Sequence, residues 1–165
     1  MERAVMNKRI PSAKSESRVQ KLYFETYIQM IHDSVGTKMF QHLWTRKQLR
    51  QQRIDALGDG YNSCAYYVSS ILKIFGKITD FHATVARTVE DLIESGWKAT
   101  EHPRAGDIVV WGAQEFDDGW HKHLGFYIGE GRAISNSWVD RVPVEHDLSF
   151  DNQRNVEQFL TFSSW

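Results

Sequence analysis

The sequence predicts an α+β fold, with helices gathered in the first half of the chain and antiparallel strands in the second. Three observations carry this. Apolar residues recur at three- and four-residue spacing as far as Gly96. After Pro103 they fall instead into short blocks rich in Val, Ile and aromatics. Those blocks are punctuated by turn signals such as Gly129-Glu130-Gly131. The 165 residues suit one domain, or one domain with an appendage, and 41% hydrophobic with 13% aromatic residues suffices to fill a core without a disulfide or metal staple.

Taken in order, the first residues to about Pro11 read as a frayed arm. Val19, Leu22, Tyr23, Tyr27, Met30 and Ile31 then mark an amphipathic helix from Ser15 to about Val35. A second helix is expected from Thr37 to about Leu57, with Met39, Phe40, Leu43 and Trp44 on one side and a solvated basic run, Arg46 to Arg53, at its end. Gly58-Asp59-Gly60 breaks the chain. A short buried helix follows from Cys64 to Phe75 with Asn62 or Ser63 as N-cap, and another follows Thr84, carries Val85, Val89, Leu92 and Ile93, and stops near Gly96. Strands are expected at Asp107–Trp111, His123–Ile128 and Arg132–Ser137, with further short ones at Val142–His146 and Glu157–Phe162. This divides the chain into a helical N-terminal extension, 1–57, and a second unit, 58–165.

Composition narrows the function classes. Twenty Lys and Arg against 21 Asp and Glu argue against a nucleic-acid or polybasic membrane binder. No stretch approaches the roughly 20 apolar residues of a membrane span. MERAVMNKRIPSAKSESRVQ has no apolar run of signal-peptide length, so the expected location is cytoplasmic or reached by non-classical export; the cell wall or exterior is the alternative if a leader was removed. The single cysteine excludes an intrachain disulfide and a Cys-rich zinc site.

That cysteine, Cys64, stands at a helix start, where unpaired backbone N–H groups and the positive end of the helix dipole favour thiolate, the nucleophilic form. A nucleophile needs a base. Of seven histidines, His32 and His42 fall on the N-terminal helices and His82, His102 and His146 on loops or strand ends. His121 and His123 lie at the start of an apolar strand, WHKHLGFYIG, which would fix an imidazole in orientation. An H-x-H pair shares a strand face and could take a metal, but Cys64 is the one further soft ligand, so neither metal nor cofactor is expected. A third residue would hold the imidazole tautomer from the neighbouring strand. A two-residue loop pairing Ile128 with Gly131 puts Asn136 across from His123; a three-residue loop brings Ser135 or Ser137 to that face instead. Asn136, whose carbonyl is a steadier acceptor than a hydroxyl, is the preferred candidate, with Ser135 in reserve.

The segments Asn62-Ser63-Cys64-Ala65-Tyr66-Tyr67-Val68, Arg104-Ala105-Gly106-Asp107-Ile108-Val109-Val110-Trp111 and His123-Leu124-Gly125-Phe126-Tyr127-Ile128-Gly129 together resemble the NlpC-type cysteine peptidases and the related CHAP amidases, over about residues 58–150. The resemblance implies a papain-like fold and cleavage of amide bonds in peptidoglycan stem peptides by Cys64 as nucleophile, His123 as base and Asn136 as orienting residue. It also implies that Tyr61 lines the site near the oxyanion. Ser63, expected with Tyr61 on the substrate and oxyanion side, stands where the NlpC type usually has Asp, and the usual third residue, a His twelve positions after the first, corresponds to Ser135. Two other readings share the residues: a deamidase, transamidase or toxin acting on proteins through the same triad, and an inactive binding module using Trp120 and Trp138.

Overall fold

The computed structural model describes residues 19–47, 49, 51–116 and 119–165. The expected arm before Pro11 and the start of the first helix at Ser15 lie outside them. Three helices, α1 (Tyr23–Asp33), α2 (Cys64–Ile74) and α3 (Val85–Glu94), stand with a hairpin, β1 (Trp44–Lys47) and β2 (Gln52–Asp55), and six further strands. These are β3 (Lys98–Thr100), β4 (Ile108–Phe116), β5 (Gly119–Gly129), β6 (Arg132–Asn136), β7 (Pro143–Asp147) and β8 (Val156–Thr161). They form one antiparallel sheet in the order β3-β8-β4-β5-β6-β7. The α+β class and the later strands agree with the sequence reading; β3 was not foreseen.

Alternation along the strands builds a core on each face of the sheet. Ile108, Val110, Leu124, Phe126, Ile134 and Leu160 pack under α2, whose Tyr67, Val68, Ile71 and Leu72 are fully buried. Val109, Trp111 and Ala133 form a smaller cluster on the other face, with Leu148, Phe150, Val156 and Phe159 against it. Residues ahead of position 58 belong to the main core. Tyr27 and Ile31 of α1 are fully buried in it, and the Tyr27 hydroxyl donates to Gly106 O at 2.6 Å. Trp165 stacks on Tyr27 with ring centroids 4.1 Å apart, so the far end of the chain closes the same core.

The expected second helix, Thr37 to Leu57, is instead a loop and the β1–β2 hairpin. Of its four apolar markers only Phe40 is buried; Met39 is 77% exposed and Trp44 54%. What organises the segment is Asp55. Its carboxylate accepts the amides of Leu43 (3.0 Å), Leu57 (3.1 Å) and Asp59 (2.8 Å) and meets His42 Nδ1 at 2.8 Å. Burial opposes its ionisation, but the His42 contact and these amides hold it well below the usual carboxylate range. A side chain that captures three backbone amides competes directly with helical hydrogen bonding. Among the described residues no helix is long and apolar enough to cross a membrane.

Candidate active site

Cys64 opens α2, packed across the sheet beside β5 and β6. Tyr67 N donates to Ser63 O at 2.8 Å, closing the first turn, so the amides of Cys64 and Ala65 are among the helix's unpaired N–H groups. Ser63 occupies the N-cap position, but its side chain makes no capping bond; it is fully buried with its hydroxyl unpartnered. It does not line the cavity at Cys64, which corrects its expected substrate-side role. Tyr61 does line that cavity, its ring 5.9 Å from that of Trp138.

The cavity holds about 620 Å³ and brings together Cys64, His123, Tyr61, Asn136, Trp138 and Arg154. Nucleophile and base candidates therefore open into one space. No direct hydrogen bond joins the Cys64 sulfur to the His123 ring among the described residues. The sulfur lies against β5 at the next residue, where the Leu124 amide favours its thiolate. Burial outweighs that amide, the first-turn amides and the nearby Arg154 charge, and pushes the thiol up. The expected ready-made thiolate is thus corrected: desolvation at the foot of a packed helix exceeds what the helix terminus offers.

The third residue is also corrected. Glu130 and Gly131, at φ 52 and 70, make the two-residue turn, and Gly129 pairs with Arg132. A bulge between Tyr127 and Gly129 then inserts one residue, so that Gly125 faces Ser135 and Phe126 faces Ile134. The parity is that of a longer loop. Ser135 shares the face of His123, and its Oγ lies 2.8 Å from His123 Nε2. Asn136 points to the helix side, where its Nδ2 donates to Gly60 O (2.8 Å) and Ser137 O (3.2 Å), tying the Gly58–Gly60 turn to β6. Gly125 makes the Ser135 contact possible. A Cβ there would lie 2.7 Å from Ser135 Cβ and 2.6 Å from Ile134 O.

Two residues escaped the sequence reading. His146 Nε2 lies 2.8 Å from the same Ser135 Oγ, and its Nδ1 is 2.7 Å from Asp147 O. Trp111 and Phe150 wall this polar chain, their ring centroids 5.4 and 5.8 Å from that of His123. In that dry setting burial first, then Arg154 and His146, push the His123 pKa down to about 3, and burial likewise lowers His146. Arg154 is the second. It donates Nε to Gly112 O (3.2 Å) and Nη2 to His121 O (2.5 Å), and is matched by no carboxylate among the described residues. His146 was legible only as a strand end, because its face depends on the β6–β7 register; Arg154 carried no local signal.

The described residues bring together no group of three or more His, Cys, Asp or Glu side chains able to hold a metal ion, and the His121–His123 pair is no exception. No protein-family model matches the chain, and no curated protein matches it significantly by sequence.

Proposed function

We propose that the protein is a cysteine-dependent amide hydrolase of papain-like fold, with peptides as substrates and the peptidoglycan stem peptide as the first class to try. The observation that carries this reading is the opening of Cys64 and His123 into one cavity, with the second ring nitrogen of His123 engaged by Ser135. The cavity wall is aromatic and cationic. Tyr61, Phe116, Trp120 and Trp138 line it with Arg154 and Lys122, and no described lining residue is a carboxylate. Lys122 is paired with Glu157 at 2.6 Å, and Arg154 is the lining cation that meets no carboxylate among the described residues, which suits it to an acidic peptide.

With the thiol held up and the imidazole held down, the resting pair is neutral. Nδ1 of His123 takes the Cys64 thiol proton as sulfur bonds to the carbonyl carbon. The oxyanion is received by the first-turn amides of α2, which carry no helical hydrogen bond. Collapse breaks the C–N bond, and the proton on Nδ1 passes to the leaving amine. Water then attacks the thioester, gives its proton to Nδ1, and the sulfur leaves and takes that proton back. The acid is released and the enzyme regenerated.

The test is mass spectrometry of synthetic stem peptides and murein fragments incubated with wild type and with Cys64→Ala. Cleavage by wild type alone is expected; equal cleavage by both variants overturns the mechanism. A mass gain of one dalton on a glutamine-containing protein, without peptide cleavage, would assign the same residues to deamidation. The exposure of Trp120 (67%) and Trp138 (50%) at the cavity mouth favours a second reading, a binding module. Tight stem-peptide binding without turnover would establish that one instead.

A further inference from the structure

We infer that His146 is a positioning residue: through the Ser135 hydroxyl it sets which nitrogen of His123 carries the proton, and so keeps Nδ1 of His123 free to accept one. The inference deepens the proposed amide hydrolysis, but its direct observable needs no turnover.

It follows from donor and acceptor counting along one chain of contacts. Asp147 O can only accept, so the His146 nitrogen 2.7 Å from it, Nδ1, bears a proton. In neutral His146 the other nitrogen, Nε2, is then a bare acceptor. Ser135 Oγ, 2.8 Å away, must donate to it. A hydroxyl has one proton, so toward His123 the same oxygen can only accept. His123 Nε2, 2.8 Å from Oγ, therefore carries the His123 proton, and Nδ1 is left with its lone pair. Each step is forced by the one before it, and the origin is a backbone carbonyl, which cannot change role. Trp111 and Phe150 keep the chain in place; Phe150 stacks on His146 with centroids 4.0 Å apart.

The same chain reverses when His146 gains a second proton. Both its nitrogens then donate, which frees the Ser135 proton to turn toward His123; when it does, the His123 proton moves to Nδ1, where it blocks acceptance from the thiol. The charged and titratable groups facing His146 are Arg132 on β6, Glu145 and Asp147 on its own strand and His123 on β5. Burial is the largest influence on His146 and places the reversal below the ordinary histidine value of 6.5.

The experiment is two-bond 1H–15N correlation spectroscopy of the full-length protein labelled with [15N]histidine, titrated from neutral to acidic pH. Near neutrality His123 should be protonated at Nε2 and bare at Nδ1, and His146 protonated at Nδ1. On acidification the His123 proton should move to Nδ1 in step with the titration of His146. In His146→Phe, which keeps a ring against Phe150 but offers no acceptor, both His123 forms should appear at neutral pH and the pH-linked exchange should vanish. There kcat should fall about 3–10-fold with KM unchanged, because only molecules with bare Nδ1 are competent. His146→Gln, which again presents an acceptor to Ser135, should restore much of the loss. A wild-type His123 protonated at Nδ1 at neutral pH, or a His123 form indifferent to both acidification and His146→Phe, overturns the inference. If His146→Phe does not fold, Ser135→Ala is read by the same spectrum, with mixed forms supporting the relay and an unchanged Nε2–H form refuting it. The expected spectra in a protein that cleaves no amide would uphold the relay and reject only the hydrolase reading.

Discussion

Gly125→Ala is the sharpest probe of the hairpin that joins His123 to Ser135. A Cβ at position 125 would sit 2.7 Å from Ser135 Cβ and 2.6 Å from Ile134 O, where ordinary contact begins at 3.4 Å. The strands must therefore part by about 0.7 Å or Ser135 must be displaced (3.4 less 2.7). Either stretches the 2.8 Å contact between Ser135 and His123 toward the limit of a hydrogen bond. Overpacking of this kind costs about 1–3 kcal/mol of stability. A misplacement approaching 1 Å at a catalytic base costs up to roughly 10²-fold in rate. The control is Gly112→Ala, whose Cβ would meet nothing closer than Asn155 O at 3.7 Å. It should change stability by less than about 0.5 kcal/mol. Urea unfolding of the two variants reads the first effect, and stem-peptide hydrolysis by folded protein reads the second. If Gly125→Ala is as stable and as active as Gly112→Ala, the Gly125–Ser135 register is wrong, and with it the account of the site.

Three further expectations follow from individual contacts. Because burial pushes the Cys64 thiol up, iodoacetamide should alkylate it slowly at neutral pH, with the rate rising only into alkaline solution; half-maximal alkylation below about pH 8.5 would contradict the neutral resting pair. Arg154→Gln should raise KM roughly tenfold for a peptide with a carboxylate beside the scissile amide, the worth of one charge-assisted hydrogen bond, and leave its neutral amide counterpart unaffected; equal effects on both would remove Arg154 from acid recognition. Asp91, 7% exposed, accepts the Thr79 and Asp80 amides at 3.0 Å and meets His82 Nε2 at 2.7 Å. Burial opposes its ionisation, but these partners hold it well below the usual carboxylate range. Its stabilisation is therefore present above the unfolded value near pH 4 and is lost as pH falls toward the folded one. Asp91→Ala should lose about 2–4 kcal/mol in urea unfolding at pH 7, and the difference from wild type should shrink in acid. A difference that does not change with pH would mean the carboxylate is not the cause.

The local grammar of the chain was enough for most elements. Helical spacing located α1, α2 and α3, Thr84 stands at the N-cap of α3 with Arg87 N on its hydroxyl at 3.4 Å, and β-branched runs located β4 to β8. It failed between residues 37 and 57, where the apolar spacing looked helical but Asp55 gathers three backbone amides, an effect of side-chain capture that periodicity does not register.

What the sequence determined alone was the α+β order, the cysteine at a helix start and the histidine on an apolar strand, because each depends on neighbours within a few residues. Which residue meets His123 was decided only in three dimensions. One inserted residue between Tyr127 and Gly129 exchanges Asn136 for Ser135 on that face, and the β6–β7 register then brings up His146 from the next strand. The state of the thiol was decided there as well. Proximity to a helix terminus can be read from a string of residues, but the loss of water around a sulfur depends on everything that packs over it.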